Sequence, residues 1–71
     1  MSLPLGKYRH YKGSLYHVTG IAQHSETLEL LVIYRCLYGD FSLWVRPLAM
    51  FTETVSLDGQ DVPRFEFLES M

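Results

Sequence analysis

Only one of the 71 residues is a cysteine, Cys36, which excludes an internal disulfide. It also excludes the common thiolate zinc centres, which take at least two cysteines. No apolar run approaches the roughly 18 residues of a membrane-crossing helix, and the first residues lack the apolar stretch of a signal peptide. The five glycines stand singly, so no glycine-rich phosphate loop is present. The first 24 residues carry no acid at all. A soluble, cytosolic chain with no membrane association and no cofactor is expected.

What is present offsets the small size. A domain of this length buries only about 60% of the surface that its unfolded chain exposes. Against that, 48% of the residues are hydrophobic, and five Tyr, four Phe and one Trp supply large side chains. Aromatics bury the most area per residue, so a core without staples is feasible. Six Lys and Arg against eight Asp and Glu give a formal charge of −2. That balance argues against non-specific nucleic-acid binding, so a nucleotide or nucleic-acid partner is open but disfavoured. Charge is unevenly placed: Lys7, Arg9, Lys12 and all three histidines (His10, His17, His24) lie in the first 24 residues, and every acid lies beyond. Such asymmetry marks either a face that receives an anion or two strands with solvated charges.

The chain divides into residues 1–5, a flexible start of a kind common in recombinant proteins, a single domain over 6–68, and a tail at 69–71. Gly6–Tyr11 and Leu15–His24 read as strands joined by a short turn at Lys12-Gly13-Ser14, hence as a hairpin. In the second of these, Tyr16, Val18, Gly20 and Ala22 alternate against Leu15, His17, Thr19, Ile21 and Gln23. Gly20 predicts a bulge or bend. Leu28–Leu37 is nearly continuous, and Val32-Ile33-Tyr34 favours strand over helix. Its inward face is expected to be Leu28, Leu30, Val32, Tyr34 and Cys36. Leu43–Pro47 is a further strand, with Leu43 and Val45 on one face and Trp44 and Arg46 on the other. Leu48–Phe51 is long enough for one helical turn, with Met50 or Phe51 as a plug on the core. Thr52–Leu57 reads as strand or extended loop, Asp58-Gly59 as a turn, and Val62–Leu68 as the last strand.

Short strands separated by turn signals predict an all-β fold. The best fit is a small SH3-like barrel of about five mostly antiparallel strands with one short helical turn, and with Val18, Leu30, Val32, Leu43 and Val45 inside. The phrases Tyr8-Arg-His-Tyr-Lys-Gly13, His24-Ser-Glu-Thr27, Leu37-Tyr-Gly39, Leu43-Trp-Val-Arg-Pro47 with Met50-Phe51, and Val62-Pro-Arg-Phe65 resemble a family of short bacterial proteins known as domain of unknown function 1653. The resemblance covers Gly6 to Phe67. It implies the same SH3-like barrel and no function, since none is established for the family. Members that stand alone or are appended to other domains imply a binding or accessory module.

Catalytic constellations are weak. The three histidines are seven residues apart, an odd offset that places neighbours on opposite faces of a strand. His24-Ser25-Glu26 holds the residue types of a hydrolase triad, but adjacent turn residues do not converge as a triad must. Ser25 or Thr27 is instead expected to hydrogen-bond local backbone N–H groups. Cys36, in the most apolar strand, is expected to be buried and slow to react. A hydrolytic or metal-dependent enzyme using His10, His24 and Glu26 is the lesser alternative. The favoured reading is an interaction module. Leu43 and Val45 filling the core would turn Trp44 and Arg46 outward, where some of Tyr8, Arg9, Tyr11 and Tyr38 would join them. Such a patch suits a protein or peptide partner, or a ligand with acidic or aromatic character. In the competing arrangement Trp44 is core and Arg46 pairs with Glu26 or Glu53.

Overall fold

Alternating apolar side chains and well-placed turn residues give seven strands and one helical turn in the computed structural model, which describes residues 3–71. In chain order these are β1 (Gly6–His10), β2 (Leu15–Gln23), β3 (Leu30–Cys36), β4 (Leu43–Pro47), α1 (Leu48–Phe51), β5 (Thr54–Leu57), β6 (Gln60–Pro63) and β7 (Phe65–Glu69). Five strands form one sheet in the order β4-β3-β2-β1-β7, and β5 with β6 forms a separate two-stranded sheet. Every pairing is antiparallel. The expected all-β class and short helical turn are present. The expected closed barrel is not: no pairing among the described residues joins β4 to β7, so the large sheet keeps two edges.

Turn chemistry places the strand ends. Gly13, at φ +108°, turns the β1–β2 hairpin, and the His10 N–H donates to the Ser14 carbonyl at 2.8 Å. Asp58 and Gly59 both have positive φ and make the two-residue β5–β6 turn, as mirror-image hairpin turns require. The bulge announced by Gly20 is found as a register shift between Val18 and Gly20. Its effect is to change the alternation. Val18 opposes Tyr34 and Ile21 opposes Val32, so Ile21 joins the face of Val18 instead of the opposite one. Leu28, expected inside, sits in the β2–β3 turn with φ +65° and is exposed. The expected final strand over Val62–Leu68 is two strands. Pro63 has no N–H to donate, and the backbone of Arg64 bonds outside either ladder. Its N–H goes to the Glu53 carbonyl and its carbonyl receives the Tyr11 N–H, both at 2.9 Å. The chain thereby leaves β5 and joins β1.

The core lies on one face of the large sheet. Tyr8, Val18, Val32, Tyr34, Leu48, Phe51 and Phe65 form it, with Val18 and Val32 fully buried and Leu30 packed at its margin. α1 presents Leu48 and Phe51 to the sheet and leaves Met50 in solvent, so Phe51 is the plug. Phe51 stacks on Phe65 at 4.1 Å with the rings nearly parallel. Two expected core residues are not there. Leu43 opposes Arg35 and Val45 opposes Ile33 on the outer face, and both are more than half exposed. Residues near both chain ends also make contacts with the sheet. The Tyr8 hydroxyl donates to the Pro4 carbonyl at 2.6 Å, Leu3 packs on the core, and β7 continues to Glu69, which opposes Lys7.

Phe51→Ala is expected to cost about 3–5 kcal/mol in urea unfolding, since it empties the centre of the core. Two glycines should respond oppositely to alanine. A Cβ on Gly6, at φ +144°, would collide with the Glu69 carbonyl oxygen, whereas one on Gly20 meets nothing within 4 Å. Gly6→Ala should therefore destabilise by about 2 kcal/mol or more, and Gly20→Ala should be neutral or stabilising by about 0.5–1 kcal/mol.

Candidate functional site

In the β3–β4 ladder Tyr34 opposes Trp44 and Val32 opposes Arg46. Directly opposed residues of an antiparallel pair share a face, so Trp44 and Arg46 lie on the core side of the sheet and not on its outside. β4 is an edge strand, however, and the Trp44 indole remains 57% exposed. Its Nε1–H donates to the Ser42 hydroxyl at 2.7 Å, which fixes the ring. The result is a cleft of about 330 Å³ at the open margin of the core, with Tyr16, Tyr34, Tyr38, Trp44 and Arg46 among its walls.

The tyrosines are held against one another. Tyr16 meets Tyr34 and Tyr38 edge-on at 5.3 and 5.6 Å, and the Tyr16 and Tyr38 hydroxyls are 3.0 Å apart. The hydrogen bond with Tyr16, and then one with Cys36, pushes the Tyr38 phenol well above its ordinary pKa. Tyr38 is therefore a neutral hydroxyl at physiological pH. The loop that carries it is tightly wound. Gly39 and Phe41 have φ +63° and +55°, the Asp40 carboxylate accepts the Ser42 N–H, and Arg35 donates to the Phe41 carbonyl at 2.7 Å.

Arg46 and Asp40 are the two charged residues in the cleft's walls. The guanidinium carbon of Arg46 lies 5.4 Å from the centre of the Phe65 ring, a cation–π contact. Its Nε is buried without a hydrogen-bond partner, and among the described residues no carboxylate pairs with it. The pairing with Glu26 or Glu53 that would have made Arg46 structural is absent; Glu53 lies near Arg64, at 3.9 Å.

The six residues expected to share a patch are divided. Tyr38, Trp44 and Arg46 are brought together, and Tyr16 and Tyr34 join them. Tyr8 is only 4% exposed and belongs to the core, because β1 lies in the middle of the sheet. Arg9 points to the outer face and pairs with Glu66 at 2.8 Å. Tyr11 follows β1 and packs on His10. Tyr16 and Tyr34 could have been found from the register. It places Tyr16 beside Cys36 and Tyr34 beside Trp44, but a register follows only from knowing which strands pair.

The residues of the enzymatic alternative do not converge. His24 follows the far end of β2, where its Nδ1 accepts the N–H groups of Glu26 and Thr27 at 3.1 and 3.3 Å. The local capping expected of Ser25 or Thr27 is thus done mainly by His24, while the Thr27 hydroxyl accepts the Glu29 N–H. His10 stands at the opposite end of the β1–β2 hairpin, against Phe65. Among the described residues no group of three or more His, Cys, Asp or Glu is placed to hold a metal. None of the described helices is long and apolar enough to cross a membrane.

The family model described as protein of unknown function (DUF1653) matches residues 6–67. The chain belongs to the DUF1653 family. A crystal structure of a DUF1653 protein from Bordetella bronchiseptica is similar throughout, at 35% identity and a TM-score of 0.88, covering 99% of this chain and 92% of that one. No curated protein matches the chain. The family assignment therefore agrees with the motif resemblance and brings no activity with it.

Two spectroscopic and chemical outcomes follow from the cleft. Emission from the only tryptophan should be red-shifted and readily quenched by acrylamide in the native protein, because the indole is more than half in water. Cys36 is 7% exposed, so it should react slowly with a thiol reagent when folded and rapidly once unfolded. Blue-shifted, protected emission would contradict the open cleft, and fast native labelling would contradict the burial.

Proposed function

We propose that this DUF1653 domain is a small interaction module whose curled sheet works as an SH3-like barrel open at one side. The Tyr16–Tyr38–Trp44–Arg46 cleft takes a partner that presents a planar group together with a negative charge, such as an acidic and aromatic segment of a protein or peptide. One observation carries the reading: an exposed tryptophan stands on the core side of an edge strand beside an arginine that, among the described residues, has no carboxylate within ion-pair distance, Asp40 standing elsewhere in the cleft wall. A monomeric surface rarely leaves a fixed, exposed indole beside a half-buried arginine whose Nε lacks a partner without a ligand to cover them. Aromatic side chains with arginine are also the composition of interface anchors. The free thiol of Cys36 suits action in the reducing cytoplasm.

The test is a fragment set of planar acids, read by Trp44 emission and by amide shifts in an NMR spectrum. Bound fragments should move the resonances of Tyr38, Trp44 and Arg46. Arg46→Ala should weaken them by about 1–3 kcal/mol, since a charge-assisted hydrogen bond is removed. The same substitution should cost the fold no more than about 1 kcal/mol, the worth of one exposed cation–π contact. Fragments mapping to the outer face around Leu43 and Val45, or a loss of folding with Arg46→Ala, would overturn the assignment.

A further inference from the structure

The two edges of the large sheet differ. β7 carries Glu66 and Glu69, which pair with Arg9 and Lys7 of the neighbouring β1. β4 opens with Leu43-Trp44-Val45, which holds no charge, and all three residues are more than half exposed. Exposed edge strands are usually guarded by charged residues, prolines or bulges, because their free backbone groups accept another strand. On β4 such guards come only at the end, with Arg46 and Pro47.

The register shows which backbone groups are free. The Cys36 N–H donates to the Ser42 carbonyl at 3.0 Å, and the β3–β4 ladder continues from that pair. Hydrogen bonding alternates along an antiparallel pair, so Trp44 and Arg46 turn their backbone groups to β3. Leu43 and Val45 turn theirs away. With β4 at the edge, those N–H and C=O groups lie on no ladder among the described residues. An added strand would therefore bond to Leu43 and Val45. Its residues opposite Trp44 and Arg46 would take the non-hydrogen-bonded positions, where opposed side chains stand closest.

We propose that the partner of the cleft is an extended segment that adds a strand to β4, antiparallel to it, with alternating chemistry. The proposal rests on the cleft reading above and names the form of its ligand. Along the segment an acid opposes Arg46, an apolar residue Val45, an aromatic residue Trp44 and an apolar residue Leu43. The acid and the aromatic face the cleft, and the two apolar residues extend the outer face, where Val45 already opposes Ile33. Charge selects this edge. Arg46 has no carboxylate within ion-pair distance among the described residues, whereas the glutamates of β7 repel an acidic strand. Asp40, in the cleft wall, precedes β4 and accepts the Ser42 N–H, so the segment's acid belongs at the Arg46 end. In strand addition main-chain bonds give affinity and alternate side chains give specificity. Such a segment also uses Leu43 and Val45, an exposed apolar pair that the cleft alone leaves idle.

The test uses the wild-type protein throughout. Peptides selected on it from a phage-displayed library of random nonapeptides should share the order acid, apolar, aromatic, apolar. No enrichment, or enriched peptides without that alternation, overturns the proposal. The tightest selected peptide is then synthesised and N-methylated at one residue at a time. Methylation at either apolar residue, whose N–H faces β4, should weaken binding about tenfold or more. Methylation at the acid or the aromatic residue, whose N–H faces away, should change it about twofold or less. In NMR hydrogen exchange the peptide should slow the Leu43 and Val45 amides, which exchange quickly in the free protein, while the Trp44 and Arg46 amides are slow throughout. Equal loss of binding at every methylated position, or loss at none, overturns strand addition, and planar acids that still shift Trp44 then keep the cleft reading. Protection of Leu43 and Val45 that grows with protein concentration in the absence of peptide shows a second copy on the edge and overturns the proposal as well.

Discussion

The stack of Phe51 on Phe65 holds the two halves of the chain together. α1 is a single turn of four residues with no side-chain cap at its start, and such a turn has no stability of its own. It persists because Leu48 and Phe51 leave water against the sheet, and because the Thr52 hydroxyl ties back to the Leu48 carbonyl at 2.9 Å. Phe65 begins β7, which reaches the sheet only through its pairing with β1. One ring pair therefore joins the β3–β4 side of the molecule to the strand that closes its other edge. In a domain too small for a deep aliphatic core, parallel aromatics add about 0.5–1.5 kcal/mol beyond the area they bury.

The same ring links the core to the cleft. Phe65 touches Phe51 on the core side and receives Arg46 and His10 from elsewhere in the sheet. Tyr16 bridges outward from Phe65 and Tyr34 to Tyr38. A continuous set of aromatic contacts thus runs from Phe51, at the centre of the core, to an exposed phenol. Side chains on such a path have little rotamer freedom to lose when a ligand arrives, and preorganisation of this sort lowers the cost of binding.

Most of the fold was legible because its signals are local. Asp58-Gly59 and Gly13 dictate turns by backbone conformation, and the bulge at Gly20 and the helical turn after Pro47 stand where the sequence puts them. The faces of β4 were not legible. Leu43 and Val45 look like core and Trp44 like surface or core in equal measure, since alternation alone cannot say which of two apolar faces points inward. Pairing with β3 decides it. Tyr34 and Val32 are inward, so Trp44 and Arg46 follow them, and the apolar pair is left outside. Tyr8 was placed in the surface patch for a related reason: the sequence shows β1 as one strand of a hairpin but not that it also pairs with β7, which puts it inside the sheet with Tyr8 on the core face. The separation of Arg9 from Arg46 follows from the same placement.

The edge of the sheet explains why a site exists at all. Had β4 found a further strand, or had β7 closed upon it, a side chain opposite Tyr34 would be wholly interior and its environment would have to be apolar. Because β4 is the last strand, its inward positions are only half enclosed. The enclosed half desolvates the Nε of Arg46 and presses its guanidinium on Phe65, and the open half leaves Trp44 in water. Burial strengthens the field of the cation, and exposure leaves it reachable. Full closure would have buried the arginine without access, and a flat surface would have left it screened by solvent. The partial enclosure of an edge strand's inner face is what makes a charged, aromatic cleft possible in so small a domain.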